Sequence, residues 1–491
     1  MEQRRTLLRL VPESSSARGP LYFSQYFISF IFIILKKIDY IKVIAAQKHA
    51  LKFSLLILGF FVICSCGNEN TPEVTILGEN SSTIQAMQDL EKDYEQKSNV
   101  ELDFKPNTFE DAFNKSNQDF ANKTGQYDVV LQYNFSLSTF IRNDYVYRLD
   151  ELKRNSSEET YDFEGNIFKN VWKEVGYYYS NPNSPDPNNI EPVAYPFAAN
   201  TMLLVYNKEL FSDPVQKAAY KEKYGQELVV PTDMATFKRV AQFFTQPDKG
   251  LSGVCLQGAT GGWLYYEWCS FIQGFGGKLL DKEQGWQGDA NTPVLLTQPE
   301  VIEGAKYYKS LKPFNAGNFT TTDGVKQRNI LKKGNVAMGI IWSDYVWGLI
   351  SEGDGTTDER FGFAPTPGNK SMIAGGSFFV NKQSEHPDEA FDYTTYLLKK
   401  ENQVKMLQNG LCSPLKTAYD SPEVQDVPFA KPLKKSLERA EYMLEAGPDA
   451  DLISNTITTY VQKIWNDELS VEEGMRLAKE KIERERIKFY Q

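Results

Sequence analysis

One segment of the chain concentrates aromatic rings beside polar groups, at residues 261–268 (Gly-Gly-Trp-Leu-Tyr-Tyr-Glu-Trp). Flat rings can stack on the apolar C–H faces of a sugar, while polar side chains hydrogen-bond to its hydroxyl edge. If the segment is helical, however, some of these rings must pack in a core. We therefore expect Trp263 and Tyr265 to face a ligand and Trp268 to be buried.

Polar side chains also follow two stretches that are typical of strands, residues 74–77 and 127–131. Glu79 and Asn80 follow the first stretch, and Tyr133 and Asn134 follow the second. Ligands of open α/β sheets lie beyond the carboxyl ends of the strands, so these side chains are candidates for ligand contact. Asn80 would also suit a helix N-terminus, and that alternative stays open.

Residues suited to catalysis or metal binding are scarce. The chain has two histidines, and His386 lies in a Ser-Glu-His-Pro-Asp segment that is typical of a polar helix start. Carboxylate pairs carry no signal among 64 acidic residues, and no G-x-S-x-G motif stands out. Gly274-Phe-Gly-Gly277 is expected to be a turn, because it lacks the strand–loop–helix context of a phosphate loop. The sequence disfavours an enzyme such as a glycoside hydrolase and predicts neither a metal site nor a cofactor.

The N-terminal 66 residues contain a candidate export signal. An apolar run at residues 53–63 follows Lys48 and Lys52, and it has the length of a signal-peptide core. The next residues, Ile-Cys-Ser-Cys, resemble the lipobox of bacterial lipoproteins. That resemblance implies cleavage before Cys66, its lipidation with palmitate, and anchoring of the mature chain to a membrane.

A second apolar stretch, at residues 21–35, precedes this signal, and no Met occurs between Met1 and Met87. We expect translation to start further in, at a codon other than Met, so that residues 1–45 are a mis-called start. A genuine N-terminal membrane segment is the alternative. We expect residues 67–72 to form a tether.

The N-terminal 66 residues, which we call the leader, differ in net charge from the rest of the chain, which we call the body. Residues 1–66 carry nine Lys/Arg and three Asp/Glu, whereas the whole chain has a net charge of −10. An acidic body argues against nucleic-acid binding, which rewards cations facing phosphates. Cys255, Cys269 and Cys412 remain in the body, and both a Cys255–Cys269 disulfide and buried free thiols are compatible with their surroundings.

Strand and helix patterns alternate along the body. Strands are expected at residues 74–77, 100–104, 127–131, 336–342 and 377–380. A helical stretch from Thr83 should turn four residues inward: Ile84, Met87, Leu90 and Tyr94. Capping boxes are expected at Thr297 and Ser470, and the helix after Ser470 should present one apolar face, formed by Val471, Met475, Ala478 and Ile482. Alternation of this kind predicts an α/β fold with parallel strands, and the 491 residues predict two packed units.

Six groups of residues, in order, resemble the maltose-binding-like solute-binding family of ABC importers, extracellular solute-binding protein family 1. They lie at 89–104, 127–130 (Tyr-Asp-Val-Val), 195–211 (Tyr-Pro-Phe, then Tyr-Asn-Lys-Glu-Leu-Phe), 333–342 (Gly-Asn-Val-Ala-Met, then Trp), 375–391 and 409–414. The helix after Pro231-Thr232 often carries a Trp in that family, and Phe237 stands in this region instead.

The resemblance implies a two-lobed periplasmic-binding-protein-like fold of type II, with the ligand cleft between lobes joined by crossover strands. We map the crossings to about residues 197–200, 373–376 and 410–416. The first lobe would comprise residues 73–197 plus 376–412, and the second 200–373 plus 416–491. It further implies that Asn200, Trp342 and Asp344 face the ligand. Gly375 and Gly376 would let the backbone approach the ligand or permit a sharp crossing.

The function implied is capture of a small solute, with a carbohydrate as the expected ligand, by hinge closure outside the cytoplasm, in the periplasm or at the cell surface. The protein would be a monomer that delivers its ligand to the permease subunits of an ABC importer. A polyamine is an alternative ligand, because Glu79, Asp344 and the aromatic rings suit an amine. Ferric ion is a further alternative, through the abundant tyrosines.

Overall fold

The computed structural model describes residues 71–153, 158–182, 186, 188–281, 290–351, 357–368, 370–442, 447 and 449–490. The expected signal peptide, its lipobox cysteine Cys66, most of the tether and His49 lie outside the described residues. Within those residues no helix combines the length and apolarity that a membrane crossing requires.

The strands of the described chain begin at Glu73. They are β1 (Glu73–Glu79), β2 (Glu101–Asn107), β3 (Val129–Tyr133), β4 (Tyr177–Tyr179), β5 (Ile190–Pro192), β6 (Tyr195–Asn207), β7 (Ser252–Cys255), β8 (Val336–Trp342), β9 (Phe361–Pro365), β10 (Ser371–Val380) and β11 (Ala440–Tyr442).

Helices separate most of these strands. They are α1 (Ser82–Gln88), α2 (Glu91–Ser98), α3 (Phe109–Asn122), α4 (Leu137–Arg142), α5 (Leu149–Leu152), α6 (Lys169–Gly176), α7 (Lys208–Ser212), α8 (Pro214–Tyr224), α9 (Met234–Phe244), α10 (Gly262–Gly274), α11 (Pro299–Lys309), α12 (Gly324–Lys332), α13 (Ser343–Ile350), α14 (Pro387–Leu397), α15 (Lys400–Gln408), α16 (Ala430–Glu438), α17 (Ala450–Trp465) and α18 (Val471–Arg486).

Nine of the described strands form one mixed sheet. Its order is β2-β1-β3-β10-β6-β8-β7, with β11 beside β10 and β9 beside β6. The outer pairs β1–β2, β1–β3 and β7–β8 are parallel, whereas β10 and β6 pair antiparallel with each other. The predicted α/β class is confirmed, and the helices cover the parallel parts of the sheet as expected.

Two long strands hold this sheet together. Residues 195–201 of β6 pair with β10, while residues 202–207 of the same strand pair with β8 and β9. Strand β10 in turn contacts β3 through residues 376–380. Twelve of the thirteen residues of β6 are buried, because neighbours cover both faces along its length. The expected crossings at 197–200 and 373–376 thus lie inside β6 and β10.

The hydrophobic core divides into three clusters of buried side chains. One cluster contains Val74, Val129 and Phe378 of the sheet, together with Leu407 and Leu411 beside it. A second contains the inward faces of α9, α10, α17 and α18. A smaller third cluster packs Phe120, Phe140 and Phe379 against one another. The last helix presents the face predicted from its spacing, because Val471, Met475, Ala478 and Ile482 are all buried.

Local sequence signals mostly agree with the structure. The Ser470 hydroxyl accepts a hydrogen bond from the Glu473 amide at 3.1 Å, as a helix cap should. The capping box predicted at Thr297 is wrong, because Gln298 is the N-cap without a side-chain bond and Pro299 occupies the first helical position. A proline is well suited to that position, where its missing N–H would have no partner.

Further expectations concern the three cysteines of the body, His386 and the glycine-rich segment that begins at Gly274. Cys255, Cys269 and Cys412 are buried thiols, and none of the three forms a disulfide. His386 stands at the N-cap of α14, in agreement with a helix start rather than a catalytic group. Gly274 is the last residue of α10, and the rest of the glycine-rich segment follows the helix.

Candidate functional site

A cleft with a volume of about 560 Å³, including the space open to solvent, lies where the two sides of the sheet meet; we call it the central cleft. Its walls come from the ends of β1, β3 and β8, from β6 and β10, and from the first turns of α3, α10 and α13. The lining residues are Glu79, Phe109, Glu110, Tyr133, Asn134, Phe135, Asn200, Gly262, Trp263, Tyr266, Trp342, Asp344, Tyr345 and Ala374.

Two carboxyls occupy the floor of the central cleft. Glu79 accepts hydrogen bonds from the hydroxyls of Tyr133 and Tyr345, the latter at 3.2 Å. Asp344 Oδ2 accepts a hydrogen bond from Asn200 Nδ2 at 3.2 Å. Both carboxyls are therefore held by neutral donors rather than by a cation.

Burial and mutual repulsion perturb these two groups. Burial raises the pKa of Asp344 to about 8, with a further contribution from the charge of Glu79, while backbone amides at the start of α13 act in the opposite direction. Burial also raises the pKa of Glu79, and its two tyrosine donors oppose that shift. Since desolvation penalises the charged form of each carboxyl, the pair tends to retain a proton at neutral pH.

Several buried polar atoms of the central cleft have no hydrogen-bond partner among the described residues. They are both amide atoms of Asn134, Oδ1 of Asn200 and Oδ1 of Asp344. A buried polar atom without a hydrogen bond costs about 1–3 kcal/mol. A ligand that bonded to these atoms would remove that cost, so they are suited to reading the polar groups of a bound molecule.

Aromatic rings form the remaining walls. Trp263 of α10 lies edge-on to Tyr345 of α13, with ring centroids 5.6 Å apart, and Tyr266 and Trp342 meet in the same way at 5.6 Å. On the opposite side, Phe109 of α3 tilts against Tyr133 at 5.6 Å. The cleft therefore combines flat apolar surfaces with unpaired amide and carboxyl groups, which is the combination that polyhydroxylated ligands require.

A second depression, which we call the side cleft, adjoins the first and has a volume of about 650 Å³ including open solvent. It shares Phe109, Phe135, Gly262 and Tyr266 with the central cleft and adds polar groups of α17. Its other lining residues are Phe113, Tyr265, Ala450, Asp451, Ser454 and Asn455. The shared residues make the two depressions continuous.

The structure brings seven of the predicted ligand-binding residues together in the central cleft: Glu79, Tyr133, Asn134, Asn200, Trp263, Trp342 and Asp344. Trp268 is 1% exposed and belongs to the core, as expected. Ligand contact by the seven residues stays a prediction, which their shared location in the central cleft supports.

The other four predicted residues lie outside the central cleft. Tyr265 is 2% exposed and borders the side cleft. Asn80 is exposed and accepts a hydrogen bond from Gln85 Nε2 at 3.3 Å. Gly375 and Gly376 lie on β10 beside the lining residue Ala374, and a Cβ on Gly376 would approach the Gln132 carbonyl oxygen to 2.3 Å. Gly376 therefore permits close strand packing.

Seven lining residues were missed by the sequence analysis: Phe109, Glu110, Phe135, Gly262, Tyr266, Tyr345 and Ala374. Phe109 and Glu110 begin the helix after β2, so the rule applied to β1 and β3 would have found them. Tyr266 and Tyr345 adjoin predicted residues, but only the fold decides which ring of a helical cluster points toward the cleft.

Comparison with known proteins places this geometry in context. Residues 89–432 match the model of a family described as bacterial extracellular solute-binding protein. A maltotriose-binding protein from Pyrococcus abyssi is 22% identical over 291 residues, which cover 56% of this chain and 55% of that protein. The match thus spans about half the length of that relative.

Solved structures resemble the whole described fold. An ABC transporter solute-binding protein from Agrobacterium radiobacter, in complex with ribitol, is 20% identical with a TM-score of 0.68, and the match covers 84% of this chain and 98% of the other. One from Thermotoga lettingae, bound with alpha-D-tagatose, is 19% identical with a TM-score of 0.68, over 86% and 100% of the two chains. These likenesses confirm the two-lobed fold.

The family match extends over more than half of the chain and includes β3, β6, β8 and β10, which supply the cleft. The chain belongs to the bacterial extracellular solute-binding protein family.

Proposed function

We propose that this protein captures a carbohydrate or a closely related polyol in the central cleft. The observation that carries the proposal is the pairing of aromatic walls with buried amide and carboxyl atoms that have no hydrogen-bond partner in the described part of the chain. Rings such as Trp342 and Trp263 offer stacking surfaces, while Asn134 and Asn200 offer hydrogen bonds. The ribitol and tagatose complexes of the structural neighbours, and the name of the maltotriose-binding relative, support the same ligand class.

Closure of two lobes would enclose the ligand. We place the lobes at residues 73–197 plus 376–412 and at 200–373 plus 416–491, with β6 and β10 passing between them. Residues on both sides of this division line the central cleft, for example Tyr133 on one side and Trp263 on the other. A ligand that contacts both sides favours the closed form, and this differential affinity is what shifts the population.

The remaining steps follow from the family and the leader. The mature protein would be held outside the cytoplasm by lipid on Cys66, with residues 67–72 as its tether. In the closed form it would deliver the ligand to the permease subunits of an ABC importer. Globomycin, which blocks lipoprotein signal peptidase, should cause accumulation of an uncleaved precursor if Cys66 is the lipidated residue.

A thermal-shift screen of residues 67–491 tests the ligand class. The panel contains mono- and oligosaccharides, polyols, amino acids, polyamines and ferric ion. A ligand present at a hundred times its dissociation constant adds about 2.7 kcal/mol to the free energy of unfolding, which gives a measurable rise in Tm. A rise with one class of sugar or polyol supports the proposal, whereas rises confined to amino acids or ferric ion contradict it.

Point variants connect the response to the cleft. Asn200→Ala should weaken the response, because Asn200 is buried in the cleft with one amide atom unpaired. Asn143→Ala serves as the matched control, since Asn143 is exposed and bonds only to the Thr139 carbonyl at the end of α4. Equal responses of the two variants would place the ligand elsewhere.

A further inference from the structure

We propose that the ligand carries a protonated amino group, which binds between the carboxyls of Glu79 and Asp344 at the floor of the central cleft. The inference rests on the carbohydrate-binding function proposed above and narrows the ligand to the amino-sugar class.

The first argument is charge. Three carboxyls line the central cleft, on Glu79, Glu110 and Asp344, and its lining set contains no Lys, Arg or His. Arg328 of α12 lowers the pKa of the Tyr345 hydroxyl, which burial and the two carboxyls raise, but Arg328 does not line the cleft. Elsewhere in the described chain many carboxylates form ion pairs with Lys or Arg, for example Asp358 with Arg360 at 2.6 Å. An ammonium group would supply the missing positive charge.

The second argument is the kind of hydrogen-bonding atom that lacks a partner. Asn200 donates its Nδ2 to Asp344, which leaves Asn200 Oδ1 without a donor. Asp344 Oδ1 and Asn134 Oδ1 are likewise buried without a donor, while Asn134 Nδ2 is the unpaired donor. Unpaired acceptors thus outnumber unpaired donors in this part of the site. An ammonium group has three donors and no acceptor, so it matches this excess better than a hydroxyl does.

The third argument is the aromatic wall. Trp342 ends β8 immediately before the first turn of α13, and Tyr345 follows Asp344 on that turn, so indole and phenol rings border the Asp344 carboxyl. A cation over such a ring is attracted by the negative face of the π-system, and the attraction is stronger when water is excluded. The edge-to-face contacts of these rings with Tyr266 and Trp263 hold them in place.

A bound cation would also change the number of protons that the carboxyls of Glu79 and Asp344 hold. The titratable groups that face Asp344 are Glu79, Tyr133 and Tyr345, with the Cys412 thiol behind it, bonded to Ser343 Oγ at 3.1 Å. None of them is positive. Burial and the charge of Glu79 raise the pKa of Asp344, so an ammonium between the two carboxyls should lower it and release a proton. A neutral sugar has no such effect.

The experiment uses three disaccharides that differ only at C2. They are the β-1,4-linked dimers of glucose, of glucosamine and of N-acetylglucosamine, together with spermidine as a non-sugar amine. Isothermal titration calorimetry of residues 67–491 at pH 7 is carried out in phosphate and in Tris, whose ionisation enthalpies differ. We expect the glucosamine dimer to bind at least tenfold more tightly than the other dimers, with net proton release.

Variants assign the effect to the two carboxyls. Glu79→Gln and Asp344→Asn should each weaken binding of the glucosamine dimer at least tenfold more than they weaken binding of the glucose dimer. Asp111→Asn is the control, because it removes one charge next to Glu110 from an exposed position outside the lining set. It should leave all affinities within twofold.

The outcomes separate this inference from the proposed function. If the glucose dimer binds as tightly as the glucosamine dimer, the amino-group inference is wrong and the carbohydrate function stands. If spermidine binds and no sugar does, the ammonium site stands and the carbohydrate function is wrong. If no member of the panel binds, the amino-group inference is wrong, and the carbohydrate function is decided by the thermal-shift screen.

Discussion

Replacement of Asp344 by Asn should stabilise the unliganded protein, and the gain should grow with pH. Asp344 is 6% exposed, and its carboxyl lies near that of Glu79 without a cation in the lining of the cleft. Its pKa is raised from 3.8 to about 8, first by burial and then by the charge of Glu79. Asn has the same shape, keeps an acceptor for Asn200 and cannot ionise.

The direction of this pH dependence follows from the number of protons that the folded and unfolded states bind. Between pH 3.8 and about 8 the folded state holds more protons at Asp344 than the unfolded state. The free energy of unfolding of the wild type therefore falls as pH rises through that window, and it levels off above it. Below the window both states are protonated, so Asp and Asn should be nearly equivalent.

The size of the effect can be worked from the shift. One pKa unit corresponds to about 1.4 kcal/mol, so the full penalty at pH 7 would be about 4 kcal/mol. Glu79 shares this penalty, since each carboxyl raises the energy of the other, and we expect Asp344→Asn to recover about 2 kcal/mol. For a folded chain of this size, a gain of about 2 kcal/mol corresponds to a rise in Tm of roughly 2 °C.

Differential scanning calorimetry of both proteins at pH 4.5, 6 and 8 measures the effect. Glu110→Gln provides the control, because Glu110 lines the same cleft but is exposed and should show little dependence on pH. A constant difference between Asp344→Asn and wild type across the three pH values would refute the reasoning. A less stable variant at pH 8 would show that the folded protein favours the ionised carboxyl.

Three further substitutions test other parts of the structure. Trp342→Ala should weaken ligand binding by about 1.5–3 kcal/mol through lost apolar contact, measured by calorimetry; unchanged affinity with a lower Tm would show that the ring serves the core instead. Gly376→Ala should cost about 1–3 kcal/mol of stability, since the new Cβ would meet the Gln132 carbonyl oxygen at 2.3 Å, and an unchanged urea midpoint would contradict that clash. Arg486→Met should cost about 3–5 kcal/mol by leaving Asp449, bonded to Arg486 Nε at 2.9 Å, buried without its cation; a loss below 1 kcal/mol would contradict this account.

Local patterns predicted the elements around the cleft well. The apolar run at residues 336–342 is strand β8 with every residue buried, and the spacing of the last helix identified its inward face. Such predictions succeed because strand and helix periodicity depends on residues close in the chain. The helical stretch predicted from Thr83 has its four expected inward residues buried, although it divides into α1 and α2.

The composition of the site was also partly accessible from the sequence. The rule that ligands lie beyond strand ends pointed to Glu79, Tyr133 and Asn134, and the family resemblance pointed to Asn200, Trp342 and Asp344. The sequence could not tell which ring of residues 261–268 faces the central cleft and which faces the side cleft. Tyr265 borders the side cleft while Trp263 and Tyr266 line the central one, because the position of α10 against β10 and α17 sets the rotation of the helix.

The sequence by itself determined the order of strands and helices, the acidic character of the body, and the kinds of side chain available for binding. Only the tertiary structure brought Glu79 and Asp344 into one cleft without a compensating cation, with Tyr345 bonded to Glu79 across 266 positions of the chain. The physical reason is that this contact depends on how β6 and β10 join the two sides of the sheet. Local periodicity carries no information about such long-range pairing.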